Sequence, residues 1–419
     1  MKDFEHVYHV LLKVIKDNQP FNLAVISQLK NEKKKIDNYF KSSVSSVAGC
    51  TLRHYYVFQE ICARKYPKIT EEHSLLVSLG LANHIFAHRF SEKDLVEYII
   101  SETGYEDINE FFLTFDGEDV KLIPHDIEPG SKRFIMLRYN LPLWIVNMWQ
   151  KNCGPFLSKK LFRSLSIKDL YSIVRINKNV IEDNEFVAKY EEFELFEHHP
   201  GSAKHKKGNA KKHPCLESDA LLYPFGYKFM CEGLDLDPIR GIAVYSGCQN
   251  PILKELYVRL GRKIKMEYLV SNQKDYFEAQ RFAKKYGMND IAFYETKHDA
   301  FDSCISKPVH TMFVCPENTD FNSLFEKPDY FLKIQQDQLD GFIQRQRETL
   351  NAVSKHVEDG GYLIYYLPTV CKNETRGNVR AFLNEHPEFK LENEKQLFPF
   401  DTYKSMLYFA VLRKEEKHD

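Results

Sequence analysis

Two stretches of this 419-residue chain gather the positive charge that could hold a phosphate backbone. The first is Lys30-Asn-Glu-Lys33-Lys34-Lys35, followed by Arg53, His54 and Tyr55, where cations stand with aromatic rings nearby. The second is Gly201-Ser-Ala-Lys204-His205-Lys206-Lys207-Gly208-Asn-Ala-Lys211-Lys212-His213, which is polar, glycine-containing and basic. Lysine and arginine neutralise phosphates and aromatic faces stack on bases, so Lys33, Lys34, Lys35, Arg53, Lys204, Lys206, Lys207, Lys211 and Lys212 are the candidate RNA contacts. The plainer reading of the same charges is a solvated helix end and a mobile surface loop. His198, His199, His213 and Cys215 bring together residue types that ligate metals, but their spacing fits no common zinc pattern, and no metal is expected. The nine cysteines are scattered, odd in number and contain no C-x-x-C pair. That excludes a disulfide framework or zinc knuckle and leaves buried thiols as the expectation.

The elements that must position these residues change character along the chain. Up to about Glu102 the apolar residues follow a helical period: Val7, Leu11, Leu12 and Ile15, then Leu75, Leu76, Leu79 and Ile85. Residues 104–135 are poor in periodic apolar positions and carry the Asp116-Gly117 and Pro129-Gly130 turns, so they read as a connector. A helix near Leu143–Trp149 and a strand-like run Tyr171–Asn177 follow, and then the basic stretch. From Ile239 onward strands alternate with helices: Gly241–Tyr245, Pro251–Leu260, Lys265–Val270, Lys274–Tyr286, Asp290–Tyr294 and His310–Cys315. A long helix from Asp337 to Val357, a Gly360-Gly361 break and the strand Tyr362–Tyr366 come next. This alternation predicts a mainly parallel sheet with its ligand edge at the carboxyl ends of the strands. Met406–Leu412 is expected to be a last, antiparallel edge strand. The organisation predicted is 1–135 helical domain with connector, 136–238 small subdomain with the basic loop, and 239–419 sheet domain.

Composition narrows the class of partner. Lys+Arg 58 against Asp+Glu 59 gives a net charge of -1, so nucleic-acid contacts must come from local patches. No apolar run reaches the roughly 18 residues of a spanning helix, and charges interrupt the N-terminus where a signal peptide would be apolar. A cytoplasmic monomer without membrane contact is expected.

Three strings, read from the C-terminus back, resemble the Sun/RsmB family of ribosomal RNA (cytosine-5) methyltransferases. Gly360-Gly-Tyr-Leu-Ile-Tyr365 with Val379-Arg-Ala-Phe-Leu-Asn-Glu-His-Pro387-Glu-Phe389 resembles the family's Gly-Gly-x-Leu-Val-Tyr strand and Phe-Leu-x-x-His-Pro-x-Phe helix. Lys327-Pro-Asp-Tyr330 with Gln344-Arg-Gln346 is similar to its Pro-Asp turn and Leu-Gln helix. Leu141-Pro-Leu-Trp144-Ile-Val with Val174-Arg-Ile-Asn177 looks like its His-Pro-x-Trp-Leu-Val and Leu-Arg-Val-Asn. The resemblance covers nearly the whole chain and implies an α + α/β architecture. An N-terminal all-α, NusB-like RNA-binding bundle would precede a Rossmann-like sheet domain of the S-adenosylmethionine-methyltransferase type, with ribosomal RNA as partner.

The family's chemistry requires two cysteines, one thiolate attacking C6 of the cytosine and a second assisting release of the product. Here the releasing motif Asp-Ala-Pro-Cys-Ser-Gly falls on Val314-Cys315-Pro316-Glu317-Asn318-Thr319 and the nucleophile motif Thr-Cys-Ser on Leu367-Pro368-Thr369. Cys371 and Cys315 are the thiols that shifted loops could bring to these sites. The cofactor motifs differ as well: the glycine-rich turn has become Tyr245-Ser-Gly247-Cys248-Gln249-Asn250-Pro251, and the second strand ends Tyr268-Leu-Val-Ser271 with no acid. Glu267 lies near that strand end, and Asp299 resembles the family's adenine-side aspartate, so Gly247, Glu267 and Asp299 are the candidate cofactor contacts. Three readings stay open. A homologue that keeps the fold and RNA binding without methyl transfer, and so without cofactor, agrees with most of the differences. An active S-adenosylmethionine-dependent RNA (cytosine-5) methyltransferase using Cys371 or Cys315 is the second, and a protein-interaction scaffold with no RNA role the third.

Overall fold

The computed structural model describes residues 3–30, 37–116, 121–166, 172–197, 199–208, 210–247, 251–296, 300–401 and 405–416. They form two compact units, Met1–Ser158 with Ser323–Gln336 and Lys159–Asn322 with Asp337–Asp419. Of the segment 136–238 expected to be a separate subdomain, residues 136–158 fall in the first unit and 159–238 in the unit that holds the sheet.

The first unit is helical. In Glu5–Ile15 the buried stripe is Val7, Val10, Leu11 and Val14, the i, i+3, i+4, i+7 pattern of an amphipathic helix; Leu12 and Ile15 lie at its margin. Glu71–Ala82 is buried on every side from Ser74 to Ala82 and is started by Thr70, whose hydroxyl accepts the His73 amide at 3.2 Å. The expected connector contains a further helix, Ile108–Leu113, with Ile108, Phe111 and Phe112 buried. Residues 323–336 are integral to this unit. The Asp329 carboxylate accepts the amide of Phe21, first residue of the helix Phe21–Lys30, at 2.9 Å. Phe331 packs on the rings of Tyr55 and Tyr56 at 5.6 and 5.2 Å. The helix near Leu143 is longer than expected, Leu143–Ser164, and is broken at Gly154 (φ 73°) ahead of Pro155. Among the described residues no helix is long and apolar enough to cross a membrane.

The second unit holds two sheets. Strands β1 (Ile173–Ile176), β2 (Phe193–Leu195), β3 (Ser202–His205) and β4 (Ala220–Leu221) make an antiparallel sheet ordered β2-β3-β1-β4 over Val174, Ile176, Phe186 and Ala203. The first part of the basic stretch is therefore a strand paired on both sides, with Ser202 and Ala203 buried, and not a loop. Strands β5 (Ile242–Ser246), β6 (Met266–Val270), β7 (Ile291–Glu295), β8 (Val309–Cys315), β9 (Val357–Leu367), β10 (Phe389–Leu397) and β11 (Leu407–Lys414) form a seven-stranded sheet ordered β10-β11-β9-β8-β5-β6-β7. From β9 to β7 neighbouring strands are parallel, while β11 runs antiparallel to β9 and β10. The architecture is thus a helical N-terminal region followed by a mixed, mainly parallel seven-stranded α/β sheet.

Two features of the large sheet differ from expectation. β11 is antiparallel but internal, and the edge belongs to β10, whose Glu392-Asn-Glu-Lys-Gln396 run of charged and amide residues hides a strand from a hydrophobicity pattern. An all-apolar β11, buried from Leu407 to Leu412, is what a strand covered on both faces requires. Gly360-Gly361 does not separate helix from strand but lies inside β9, where the register against β8 shifts between Val309 and Thr311. Gly360 has φ 77°, and a Cβ on Gly361 would stand 2.7 Å from the His310 carbonyl oxygen, so the bulge needs both glycines.

Candidate functional site

Strand order reverses at β5, with β6 on one side and β8 on the other, so a ligand crevice would open beyond Ser246, Val270 and Cys315. The backbone there is closed by its own contacts. The Gly247 amide donates to the Cys315 carbonyl at 2.7 Å, and a Cβ on Gly247 would meet the Glu317 nitrogen at 2.4 Å. Glycine is thus needed for close approach of the turn after β8. On the other side the Ser271 amide donates to the Ser246 carbonyl at 3.2 Å and the Ser271 hydroxyl to that of Gly247 at 3.1 Å.

Glu267 does not reach this crevice. It pairs in register with Ala243 and Ala292, three residues before the end of β6, and half-burial raises its carboxyl above the usual range. Asn272, beyond that end, accepts the Asp275 amide at 3.0 Å and caps the helix Gln273–Tyr286. Asp299 and Cys248 lie outside the described residues. An S-adenosylmethionine site of this class needs open backbone after the first strand and an acid ending the second. Among the described residues Gly247 is covered by Pro316-Glu317, and Val270-Ser271 supplies no carboxylate, so they do not fit the cofactor.

A buried polar network joins Thr319 and Thr369, the last positions of the two strings on which the resemblance lays its cysteine motifs. Thr319 follows β8 and Thr369 follows β9, and both are fully buried. Their hydroxyl oxygens are 2.7 Å apart, and both face the carboxylate of Glu374. One Glu374 oxygen accepts the Thr319 amide at 2.9 Å and the Gln346 amide group at 3.0 Å. The other accepts the Thr319 hydroxyl at 2.6 Å and lies 3.3 Å from that of Thr369. Gln346 donates as well to the Glu317 carbonyl at 3.0 Å and accepts from Asn378 at 2.8 Å, while the Tyr365 hydroxyl donates to the Glu374 carbonyl at 2.7 Å. Complete burial raises the Glu374 carboxyl above its ordinary value, and the donors from Thr319, Gln346 and Thr369 partly offset this. With four donors on two oxygens the carboxylate is saturated, so the network ties two loops together and offers no free base.

The candidate thiols are closed off. Cys315 is the last residue of β8 and 0% exposed; Cys371 is 1% exposed in the loop after β9. The Cys371 amide donates to the Thr369 hydroxyl at 3.2 Å and its carbonyl accepts from Thr375. Burial, seconded by the Glu374 charge, pushes its thiol up to about 12, where it stays protonated and is not a nucleophile at neutral pH.

Sequence reasoning missed Glu374. It sits in Lys372-Asn-Glu-Thr-Arg-Gly377, which reads as a solvated turn but forms a π-helical turn, Asn373–Gly377, with Glu374 facing inward. The available signal was that both motif strings end on threonine. The Val174-Arg-Ile-Asn177 string was noted for its resemblance, but its contacts were not read from the sequence. The buried Arg175 guanidinium donates to both oxygens of Glu255 at 3.2 and 3.3 Å, and Asn177 donates to the Ser218 carbonyl at 2.8 Å. The string therefore ties the small sheet to the helix Ile252–Leu260.

Of the basic residues, Arg53 is exposed at the end of the helix Asn38–Arg53, while Lys33, Lys34 and Lys35 lie outside the described residues. Lys206, Lys207, Lys211 and Lys212 are exposed; Lys204 is half-buried, 3.5 Å from Glu194. His213 accepts the Cys215 amide and pairs with Glu192, and His199 lies among the rings of Phe196, Phe225 and Phe229. His198 lies outside the described residues, and among those described no group of three or more His, Cys, Asp or Glu could hold a metal ion.

No family model matches the chain. It is 41% identical over 54 residues to ribosomal RNA small subunit methyltransferase B of Thermus thermophilus, a match spanning 13% of this chain and 14% of that relative. Among solved structures, PH0851 superposes with a TM-score of 0.72 at 16% identity, covering 99% of this chain and 98% of the other. NSun6 from Pyrococcus horikoshii, solved with SFG, gives 0.58 at 10% identity over 66% of this chain and 99% of its own. A methyltransferase homologue from the same organism gives 0.57 at 12%, over 68% and 100%. At these identities the structural matches establish the fold.

Proposed function

We propose that this Sun/RsmB-type homologue of the ribosomal RNA methyltransferases binds RNA and transfers no methyl group. The observation that carries the reading is the Thr319–Glu374–Thr369 network, which stands where the two cysteine motifs of that type fall. A covalent route to C5 needs a thiolate beside the cytosine, and the described thiols near this edge, Cys315 and Cys371, are buried. The closed backbone at Gly247 and the missing strand-end acid agree with a chain that needs no S-adenosylmethionine. RNA binding rests on the helical first unit, read as NusB-like, with Arg53, which is exposed, on the basic string Lys33, Lys34 and Lys35, and on Lys204, Lys206, Lys207, Lys211 and Lys212 in the second unit. The partner is small-subunit ribosomal RNA, by the relative that matches in sequence. The protein acts as a cytoplasmic monomer.

The test is incubation with small-subunit ribosomal RNA and S-adenosylmethionine tritiated in the methyl group, beside a filter-binding assay of the same RNA. RNA retention without tritium in the RNA is expected. Tritium incorporation that disappears in Cys371→Ala or Cys315→Ala would restore the enzyme reading, and failure to retain RNA would leave the scaffold reading.

A further inference from the structure

A second charged feature lies away from the strand ends. The turn 214–218 and the C-terminal ends of the helices Ile252–Leu260 and Gln273–Tyr286 enclose a cleft of about 290 Å³. Three cations line it, Arg262, Lys284 and Lys285, against one carboxylate, Glu217. The Ser218 hydroxyl and the rings of Tyr257 and Tyr286 complete its polar and aromatic walls. Both helices run back toward the amino-terminal ends of β6 and β7, so the cleft is on the edge of the sheet opposite the cofactor crevice.

Arg175, Arg259, Lys178 and Lys189 meet carboxylates, whereas Arg262, Lys284 and Lys285 form no ion pair among the described residues. A cation at a helix end also complements the helix dipole, which accounts for a charge in the last turn of Gln273–Tyr286. It does not account for three unpaired cations converging on one concave site with a net excess of two positive charges. Three like charges facing a single carboxylate repel one another, and an anion entering the cleft would relieve that.

The chain joins this cleft to the basic stretch. Lys285 Nζ donates to the Leu216 carbonyl at 3.3 Å, and Lys212 is four residues upstream, within about 14 Å of Leu216 along the chain. Lys211, Lys212, Lys285, Lys284 and Arg262 are all exposed, and the turn that Lys285 contacts follows Lys211 and Lys212 closely in the chain.

We infer that this cleft holds a phosphodiester of single-stranded RNA and passes the strand on to Lys211 and Lys212. The inference rests on the RNA-binding reading above and adds a site to it. It is tested by fluorescence anisotropy of the full chain with a labelled single-stranded RNA over a salt series. The variant is Arg262→Ala/Lys284→Ala/Lys285→Ala, and Arg262→Lys/Lys284→Arg/Lys285→Arg is the charge-preserving control. All three side chains are exposed at helix ends, and circular dichroism confirms that the variants keep the fold. Emptying a site for one single-stranded phosphate should flatten the log Kd against log salt plot by about 0.7, with the control unchanged. Inorganic pyrophosphate is the second probe. Loss of pyrophosphate binding in the alanine variant with RNA affinity and slope intact would overturn the RNA assignment in favour of a free phosphate. Intact binding of both probes would overturn the site. A wild-type chain that binds no RNA at all would overturn both the site and the reading it rests on.

Discussion

Glu374→Ala is the perturbation that most directly probes the closed catalytic ground. It removes an acceptor that engages the Thr319 amide, the Thr319 hydroxyl and the Gln346 amide group within 3.0 Å. Each buried donor left unsatisfied costs about 1–3 kcal/mol, and because Thr319 and Thr369 still hold each other, two orphaned donors and a small cavity amount to about 3–5 kcal/mol. For a unit of this size that is a fall in Tm of about 10 °C by differential scanning calorimetry. Glu374→Gln keeps the shape and one acceptor and should cost about 1–2 kcal/mol. The pH dependence has a definite sign. A carboxyl whose folded pKa lies above its unfolded value binds more protons when folded, so its contribution is fully present below the unfolded pKa and is lost as pH rises through the folded one. The deficit of Glu374→Gln against wild type should therefore be largest in acid and shrink as pH rises. A Tm within 2 °C of wild type for Glu374→Ala would refute the reasoning, since an open, solvated carboxylate would cost nothing to remove.

Other consequences follow from the same geometry. Iodoacetamide at neutral pH should label the partly exposed Cys304 and leave Cys315 and Cys371 unmodified until denaturant is added; peptide mass spectrometry showing all three labelled at one rate would contradict the burial. Gly247→Ala, whose Cβ would meet the Glu317 nitrogen, should lower stability by about 1–3 kcal/mol in urea titration, and a neutral effect would mean that the two turns separate freely. Replacing Lys204, Lys206, Lys207, Lys211 and Lys212 with alanine should weaken RNA binding and reduce the salt slope by about 3, while an unchanged slope would remove them from the interface.

The parallel core was legible because its strands are apolar on both faces and alternate with helices: Ile242–Ser246, Met266–Val270 and Val309–Cys315 all lie where the pattern placed them. β10 was not legible, since Phe389–Leu397 is an exposed edge and carries charges in place of an apolar face. β3 was hidden because it is short and carries Lys204 and His205 within a basic stretch. Asp329 and Glu374 were missed for a different reason: each is a charged residue in a polar string, and its burial is decided by partners 308 and 55 residues away. Divergence of the cysteine and glycine motifs could be read directly, but what replaced them could not, because a threonine-carboxylate network has no fixed spacing.

Titration calorimetry of the full chain with S-adenosylmethionine asks about the crevice at Gly247 without depending on the RNA. With Gly247 closed by the Pro316-Glu317 turn, no heat of binding is expected up to millimolar ligand. A micromolar Kd would contradict it, and would mean that the Pro316-Glu317 turn moves off Gly247 to open the site.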